Sequence, residues 1–111
     1  MAVTTKVLVP SKVMENVSQQ QYTAQGATVL IDKFTVVNTS ANNVSFSVNI
    51  VASGGSASDA NAVIKSRTLA PNQTYNCPEV VGHALQDGAS IYTIAGAATS
   101  LTMRISGREI T

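Results

Sequence analysis

Apolar and polar side chains alternate without a break through residues 44–50, VSFSVNI. Alternation with a period of two places the apolar positions on one face of a half-buried β-strand. Residues 101–106, LTMRIS, repeat the pattern. The positions predicted to face the core are Val44, Phe46, Val48 and Ile50 in the first segment and Leu101, Met103 and Ile105 in the second.

A third segment, residues 28–38, is rich in β-branched residues, but its alternation is imperfect. Leu30, Phe34 and Val36 share one phase, whereas Val29, Ile31 and Val37 share the other. We expect this strand either to be covered on both faces or to contain a bulge. Shorter strands, bounded by Gly, Pro, Asn or Ser, are predicted at residues 3–9, 62–69, 73–77 and 90–95.

About seven short strands with polar turns between them predict an all-β fold, a single-domain antiparallel β-sandwich of the immunoglobulin-like or jelly-roll-like kind. A chain of 111 residues is the right size for one hydrophobic core. We therefore expect one domain over residues 1–111. Within it, residues 1–20 are expected to form either an edge strand or an extended N-terminal arm.

The connections between strands carry turn signals. Residues 39–43 are predicted to close a hairpin, and the Gly-rich residues 53–60 to carry the chain from one sheet to the other. In the segment LAPNQTYNC, residues 69–77, Pro71 suits the second position and Asn72 the third position of a type I or type II turn. We expect this turn to close another hairpin.

Helix signals are confined to residues 78–88, which begin with proline and end with glycine. Gly82 lies between them and lowers helix stability by about 1 kcal/mol relative to alanine. At most one short helical turn is therefore predicted. Residues 18–21, SQQQ, have no apolar side chain to bury and are predicted to be a loop.

Charged residues make up 12% of the chain, and the seven basic residues are scattered and balanced by six acidic ones. A duplex-DNA binder that neutralises roughly six to ten phosphates would need nearly all of them on one face, so we expect no direct nucleic-acid partner. No secretory signal and no apolar run of roughly 18 residues is present, so we expect no membrane partner. The low charge predicts a neutral, hydroxyl-rich surface suited to a crowded assembly.

The sequence gives only weak evidence for a catalytic site or a metal site. Cys77 and His83 can be written as a nucleophile and a base, but a buried thiol and a surface imidazole are the favoured interpretation. Ser58, Asp59 and Asn61 bring oxygen atoms together, yet one carboxylate is few for calcium and such residues also stabilise turns. We therefore expect no enzyme activity, no cofactor and no metal ion.

Several segments together resemble a known family. They are VVNT at 36–39, GGSASDAN at 54–61, LAP at 69–71 with TY at 74–75, Leu85 with Gly88 and SI at 90–91, and MRISGREI at 103–110. In combination they resemble short β-sandwich virion proteins of tailed bacteriophages, in particular the capsid decoration (staple or cement) proteins of epsilon-fifteen-like podophages. The chain departs from that family at two turns, where Asn72 and Gln73 replace a Gly-acid pair and Ala89 replaces Asp.

The resemblance implies a non-enzymatic structural protein that assembles in the host cytoplasm and lies on the outer surface of the virion. Its implied partners are the major capsid protein of the same phage, bound across subunit seams, and further copies of itself in a homodimer or higher homo-oligomer. An edge strand at residues 3–9 would make contact with a partner by strand addition. The expected interface residues are Val3, Lys6, Val7 and Val9.

Two other functions stay open. A tail or neck structural protein would share the fold and the resemblance, and its copy number would distinguish it. A carbohydrate-binding or receptor-binding module would use loops at one end of the sandwich. That module would have to stack sugars on tyrosines, because the chain has no tryptophan and three tyrosines, Tyr22, Tyr75 and Tyr92.

Overall fold

The computed structural model describes residues 2–111, which form a β-sandwich of two antiparallel sheets. The nine strands found in those residues are β1 (Val3–Val13), β2 (Gln19–Thr23), β3 (Thr28–Asn38), β4 (Val44–Val51), β5 (Ala62–Leu69), β6 (Thr74–Tyr75), β7 (Ala84–Leu85), β8 (Ser90–Ala95) and β9 (Leu101–Ile110). The first sheet has the order β1-β9-β3-β6, with β7 also paired to β3, and the second has the order β2-β8-β4-β5. The predicted all-β sandwich is confirmed.

All seven predicted strands are present, although β1 and β9 are longer than expected and β6 is only two residues long. The pairing of β3 with β9 shifts register between Ile31 and Lys33, which marks a bulge. Val29 and Ile31 are buried before the bulge, and Phe34 is buried after it. The bulge therefore explains the change of phase along residues 28–38, and this alternative of the prediction is confirmed.

The strand β2 lies where a loop was predicted, so that prediction was wrong. Hydrogen bonds between polar side chains, rather than the burial of apolar ones, hold this strand against its neighbours. Gln21 Nε2 donates to Glu15 Oε1 and to Thr93 Oγ1, each at 2.9 Å, and Gln20 Oε1 accepts from the Tyr92 hydroxyl at 3.0 Å. Side-chain amides thus supply cross-strand pairs that the hydrophobic pattern does not reveal.

In the described residues, the one helical element is a 3-10 turn at Asp59–Asn61, not at residues 78–88. Ser58 Oγ accepts from the backbone N–H of Ala60 at 3.3 Å, and Asn61 Oδ1 accepts from the backbone N–H of Ser58 at 3.1 Å. This reciprocal capping stabilises the turn. Residues 78–88 instead form turns and β7, and no helix among residues 2–111 is long and apolar enough to cross a membrane.

The predicted connections have to be corrected. Residues 39–43 join β3 to β4, which lie in different sheets, so they form a crossover and not a hairpin. Residues 52–61 join β4 to β5, which are neighbours in one sheet, and residues 70–73 join β5 to β6 across the two sheets. The predictions failed because alternation reveals which face of a strand is buried, but not the sheet to which the strand belongs.

Two of these crossovers meet at the buried side chain of Asn38, which is fully inaccessible to solvent. Its Nδ2 donates to the backbone carbonyls of Asn42 at 2.8 Å and Leu69 at 2.9 Å. Its Oδ1 accepts from the backbone N–H of Ser40 at 2.9 Å and from the Ser40 hydroxyl at 2.7 Å. Asn72 has a left-handed φ of 63°, which fits type II and not type I for the turn that follows Leu69.

The core fills the space between the two sheets. Its largest fully buried side chains are Phe34, Phe46, Met14, Ile31, Leu69, Leu85, Ile91, Leu101, Met103, Ile105, Val29 and Val36. Val44, Phe46, Val48 and Ile50 face inward as predicted, and Ile50 is half-buried, packs against the core and lies opposite the buried Ile91. Val51 is buried as well but outside this core, next to Gly55 of the loop that follows β4.

Candidate interaction surface

β1 is the edge strand of the first sheet. It pairs with β9 on one side and, among the residues that the structure describes, with no strand on the other. Val3 and Val7 are 56% and 42% exposed, and Lys6 is exposed as well. Val9 is 3% exposed and packs in the core. Val9 was predicted as an interface residue together with the other three, and unlike theirs its side chain is not accessible to a partner.

A bulge separates Val9 from the exposed part of the strand. The pairing of β1 with β9 shifts register between Val7 and Val9, and the consecutive residues Leu8 and Val9 are both buried. The neighbouring strands approach closely here. A Cβ atom on residue 107 would lie only 2.9 Å from Leu8 Cδ1 and 2.2 Å from the Leu30 carbonyl oxygen. Glycine therefore permits the tight packing that brings Leu8 into the core.

The side of the first sheet that faces away from the second sheet is called the outer face below. Val3, Thr5 and Val7 lie opposite Ile110, Arg108 and Ser106, and Val13 lies opposite Thr102. These β9 residues alternate with residues directed toward the second sheet, among them Glu109, which accepts from the Tyr22 hydroxyl of β2. Val3, Val7 and Val13 therefore lie on the outer face, and Val13 is 46% exposed.

Lys6 takes part in a charged cluster at the side of the sandwich where β1 and β2 meet. Lys6 Nζ lies 3.2 Å from Glu109 Oε2 and 5.9 Å from the centre of the Tyr22 ring. The Tyr22 hydroxyl donates to the same carboxylate oxygen at 3.3 Å. The pKa of the Tyr22 hydroxyl is raised, mainly because the side chain is partly buried. The tyrosine ring closes this side of the core, while its hydroxyl and the lysine share one carboxylate.

The opposite side of the sandwich has a matching cluster. The guanidinium carbon of Arg67 lies 3.9 Å from the centre of the Tyr75 ring, and the Tyr75 hydroxyl donates to the Glu79 carboxylate, whose oxygens are 2.7 and 2.5 Å away. This hydrogen bond lowers the pKa of Glu79, and burial raises the pKa of Tyr75. Phe46 contacts the same ring edge-on, with 6.4 Å between ring centres. Tyr75 therefore seals the core at this side.

These contacts weaken the case for sugar stacking. The rings of Tyr22 and Tyr75 each have a cation over one face and the core behind them. Tyr92 lies on the second sheet, where it is half-buried and donates its hydroxyl to Gln20. The three tyrosines thus belong to three separate parts of the sandwich and do not form a shared platform.

The residues considered for chemistry have structural roles. Cys77 is fully buried and His83 is exposed, as predicted. Asp59 forms an ion pair with Lys65, while Ser58 and Asn61 cap the 3-10 turn. Within residues 2–111, no group of three or more His, Cys, Asp or Glu side chains is placed to hold a metal ion.

Burial, reinforced by the nearby charge of Glu79, raises the pKa of the Cys77 thiol to about 12. Only the thiolate reacts with alkylating reagents, so we expect iodoacetamide to label native Cys77 very slowly at pH 8 and still slowly at pH 10. The protein unfolded in urea should react at the rate of an ordinary thiol. Mass spectrometry of the time course measures both rates, and rapid labelling of the native protein would contradict this assignment.

No protein-family model and no curated protein matches the chain. Among solved structures, a chain in the structure of infectious bursal disease virus, Gx strain, has a similar fold, with a TM-score of 0.54 and 16% sequence identity. The match covers 97% of this protein and 32% of that chain. The protein therefore spans about a third of its structural neighbour, and the similarity shows a shared β-sandwich fold.

Proposed function

We propose that the protein is a non-enzymatic structural component of a virus particle, and that it decorates the capsid of a tailed bacteriophage. The observation that carries this proposal is the row of exposed valines on the outer face, Val3, Val7 and Val13, beside an unpaired strand edge. Exposed apolar side chains on a well-packed small domain favour contact with another protein. The likeness to a chain of a virus structure supports a place in a virus particle.

The distribution of charge supports the same proposal. Five of the six acidic side chains form ion pairs within the chain, and these pairs are Lys6 with Glu109, Lys12 with Glu15, Lys65 with Asp59, Arg67 with Glu79 and Arg108 with Asp32. A surface whose charges are already paired produces only a weak electrostatic field around the protein. Such a protein packs closely against neighbours without strong repulsion, and it offers little attraction for nucleic acid.

The proposed mechanism is mechanical. Copies on the outer surface of the capsid bind the major capsid protein across the seams between subunits, and each copy adds binding free energy that opposes rupture by the packaged DNA. A specific contact of this kind buries more than about 1,000 Å² of surface. Lys33 lies opposite the outer-face residue Ser106, and Arg104 is exposed between the buried Met103 and Ile105, so both lie on the outer face. Because neither belongs to the ion pairs given above, they and the exposed valines give the outer face a mixed apolar and basic character.

Particles that lack the protein provide the test. Adding the purified protein is expected to raise the temperature at which these particles release their DNA. Val13→Asp is expected to abolish this effect, because it places a charge on the outer face. Val17→Asp is the matched control, since Val17 is 58% exposed but lies outside β1. Failure of the wild-type protein to bind or stabilise such particles would overturn the proposal.

A further inference from the structure

The outer face carries more basic than acidic side chains. Its charged residues are Asp32, Lys33, Arg104 and Arg108, three basic and one acidic, which give it a net charge of +2. The whole chain has seven basic and six acidic residues, so the four basic and five acidic residues elsewhere have a net charge of −1. The net positive charge of the protein is therefore concentrated on the outer face.

Arg108 and Asp32 show how a guanidinium is satisfied on this face. Arg108 Nε donates to both carboxylate oxygens of Asp32, at 3.2 and 3.0 Å, and Nη2 donates to Oδ1 at 3.0 Å. Contact through two adjacent nitrogens is the geometry in which a guanidinium binds a carboxylate with the greatest strength and specificity. Arg108 therefore has its carboxylate within the chain.

Arg104 lies on the same face of β9 and has no such carboxylate. Its Nη1 donates to the Ser11 hydroxyl at 3.4 Å, but within residues 2–111 it forms no ion pair, and its Nε and Nη2 make no hydrogen bond. The edge of the guanidinium that Arg108 uses for Asp32 is thus open on Arg104.

Lys33 is a second unpaired cation beside Arg104. Lys33 lies opposite Ser106, and Arg104 lies opposite Thr35, so the two basic residues are diagonal neighbours on β3 and β9. Diagonal neighbours have Cα atoms about 7–8 Å apart. In the part of the chain that the structure describes, Lys33 takes part in no ion pair and no side-chain hydrogen bond. One approaching surface could therefore contact both cations.

Exposed apolar side chains surround this pair of cations. Val7 and Val13 of β1 pair with the β9 residues that lie two positions after and two positions before Arg104. On the other side, Lys33 borders a shallow depression with Val81, which is 38% exposed. An arginine surrounded by contacts that exclude water is typical of the residues that dominate the energy of a protein interface.

We propose that the outer face docks against an acidic surface of a partner protein, and that a partner carboxylate binds the open edge of Arg104 as Asp32 binds Arg108. A second acidic side chain of the partner lies beside Lys33, and the valines pack against apolar groups around them. This inference rests on the proposed function, because it specifies the chemistry of the capsid surface that the outer face meets.

The surroundings of the two cations favour a carboxylate over a phosphate. Arginine binds either anion through the same edge, but a duplex-DNA binder neutralises roughly six to ten phosphates, and this face offers two unpaired cations. Exposed valines also have no apolar partner on a sugar-phosphate backbone. A protein surface supplies both acidic and apolar contacts.

Binding to particles that lack the protein, measured by co-sedimentation at several salt concentrations, tests the role of Arg104. Arg104→Gln should weaken binding at least about tenfold and make the remaining binding less sensitive to salt. Arg104→Lys keeps the charge but loses the two-nitrogen contact, so its loss should be smaller. Circular dichroism checks that each variant is folded.

Lys65→Gln is the matched control, since it removes an exposed positive charge from the second sheet and should bind like the wild-type protein. If Arg104→Gln binds like the wild-type protein, this inference is overturned while capsid binding stands. If the wild-type protein does not bind the particles, the proposed function itself fails. Binding that nuclease treatment abolishes would assign phosphate as the ligand and would also overturn the inference.

Carbodiimide cross-linking tests the chemistry of the partner, because this reagent joins an amine directly to a carboxylate and takes up the water that is lost. On particles carrying the bound protein, the Lys33 amine should be linked to an aspartate or glutamate of the capsid protein. Arg104→Lys should gain a second link at position 104, whereas Lys65 should give none to the capsid protein. Mass spectrometry of the digested products identifies the links, and bound protein without either link would contradict an acidic partner.

Discussion

Replacing Asn38 with alanine is expected to lower the free energy of unfolding by about 3–5 kcal/mol, because it leaves several buried polar groups without partners. The wild-type side chain satisfies two backbone carbonyls, those of Asn42 and Leu69, and accepts two hydrogen bonds from Ser40. These contacts hold two crossovers between the sheets in place. Urea denaturation followed by circular dichroism measures the loss.

Asn38→Asp is a sharper version of this test, since it keeps the shape and the acceptor oxygen but loses both donors. Its carboxylate would face two carbonyl oxygens in a buried site, so its pKa should rise above the usual value of about 3.9. A raised pKa means that stability falls as pH rises above about 4. Asn43→Ala, at an exposed position of the same connection, should change stability by less than about 0.5 kcal/mol. Equal effects of Asn38→Ala and Asn43→Ala would refute this role.

Phe46→Ala should cost about 3–5 kcal/mol of stability, because it leaves a cavity at the centre of the sandwich. Phe46 is 1% exposed and packs edge-on against Tyr75, which closes one side of the core. Ile94→Ala is the matched control in the same sheet, since Ile94 is 36% exposed. Thermal and urea unfolding measure both variants. A loss below about 1 kcal/mol for Phe46→Ala would mean that this face of β4 does not line the core.

The strands could be predicted from the sequence, but their partners could not. Alternation through residues 44–50 and 101–106 identified β4 and the first part of β9, because a period of two reports the buried face of a strand. The same alternation does not indicate to which of the two sheets a strand belongs. Residues 39–43 and 53–60 were therefore assigned each other's roles, and β2 was missed because amide hydrogen bonds of Gln20 and Gln21 take the place of apolar burial.

The candidate surface was predictable in part. Residues 3–9 were recognised as a strand, but the sequence gives a smooth run of apolar residues, VLV, at positions 7–9. A bulge after Val7 turns Val9 into the core and leaves Val7 outside. Three consecutive apolar residues before Pro10 were the available signal of a break in alternation. The exposure of Val13 was not predicted, because the strand was expected to end at residue 9.

The proposed role as a capsid decoration protein is tested most directly by counting the copies of this protein in purified virus particles. Quantitative mass spectrometry, with labelled peptides of this protein and of the major capsid protein as standards, gives their molar ratio. We predict a fixed ratio that corresponds to many copies distributed over the capsid. A ratio of only a few copies per particle would place the protein in the tail or neck, and its absence from particles would contradict a virion role altogether.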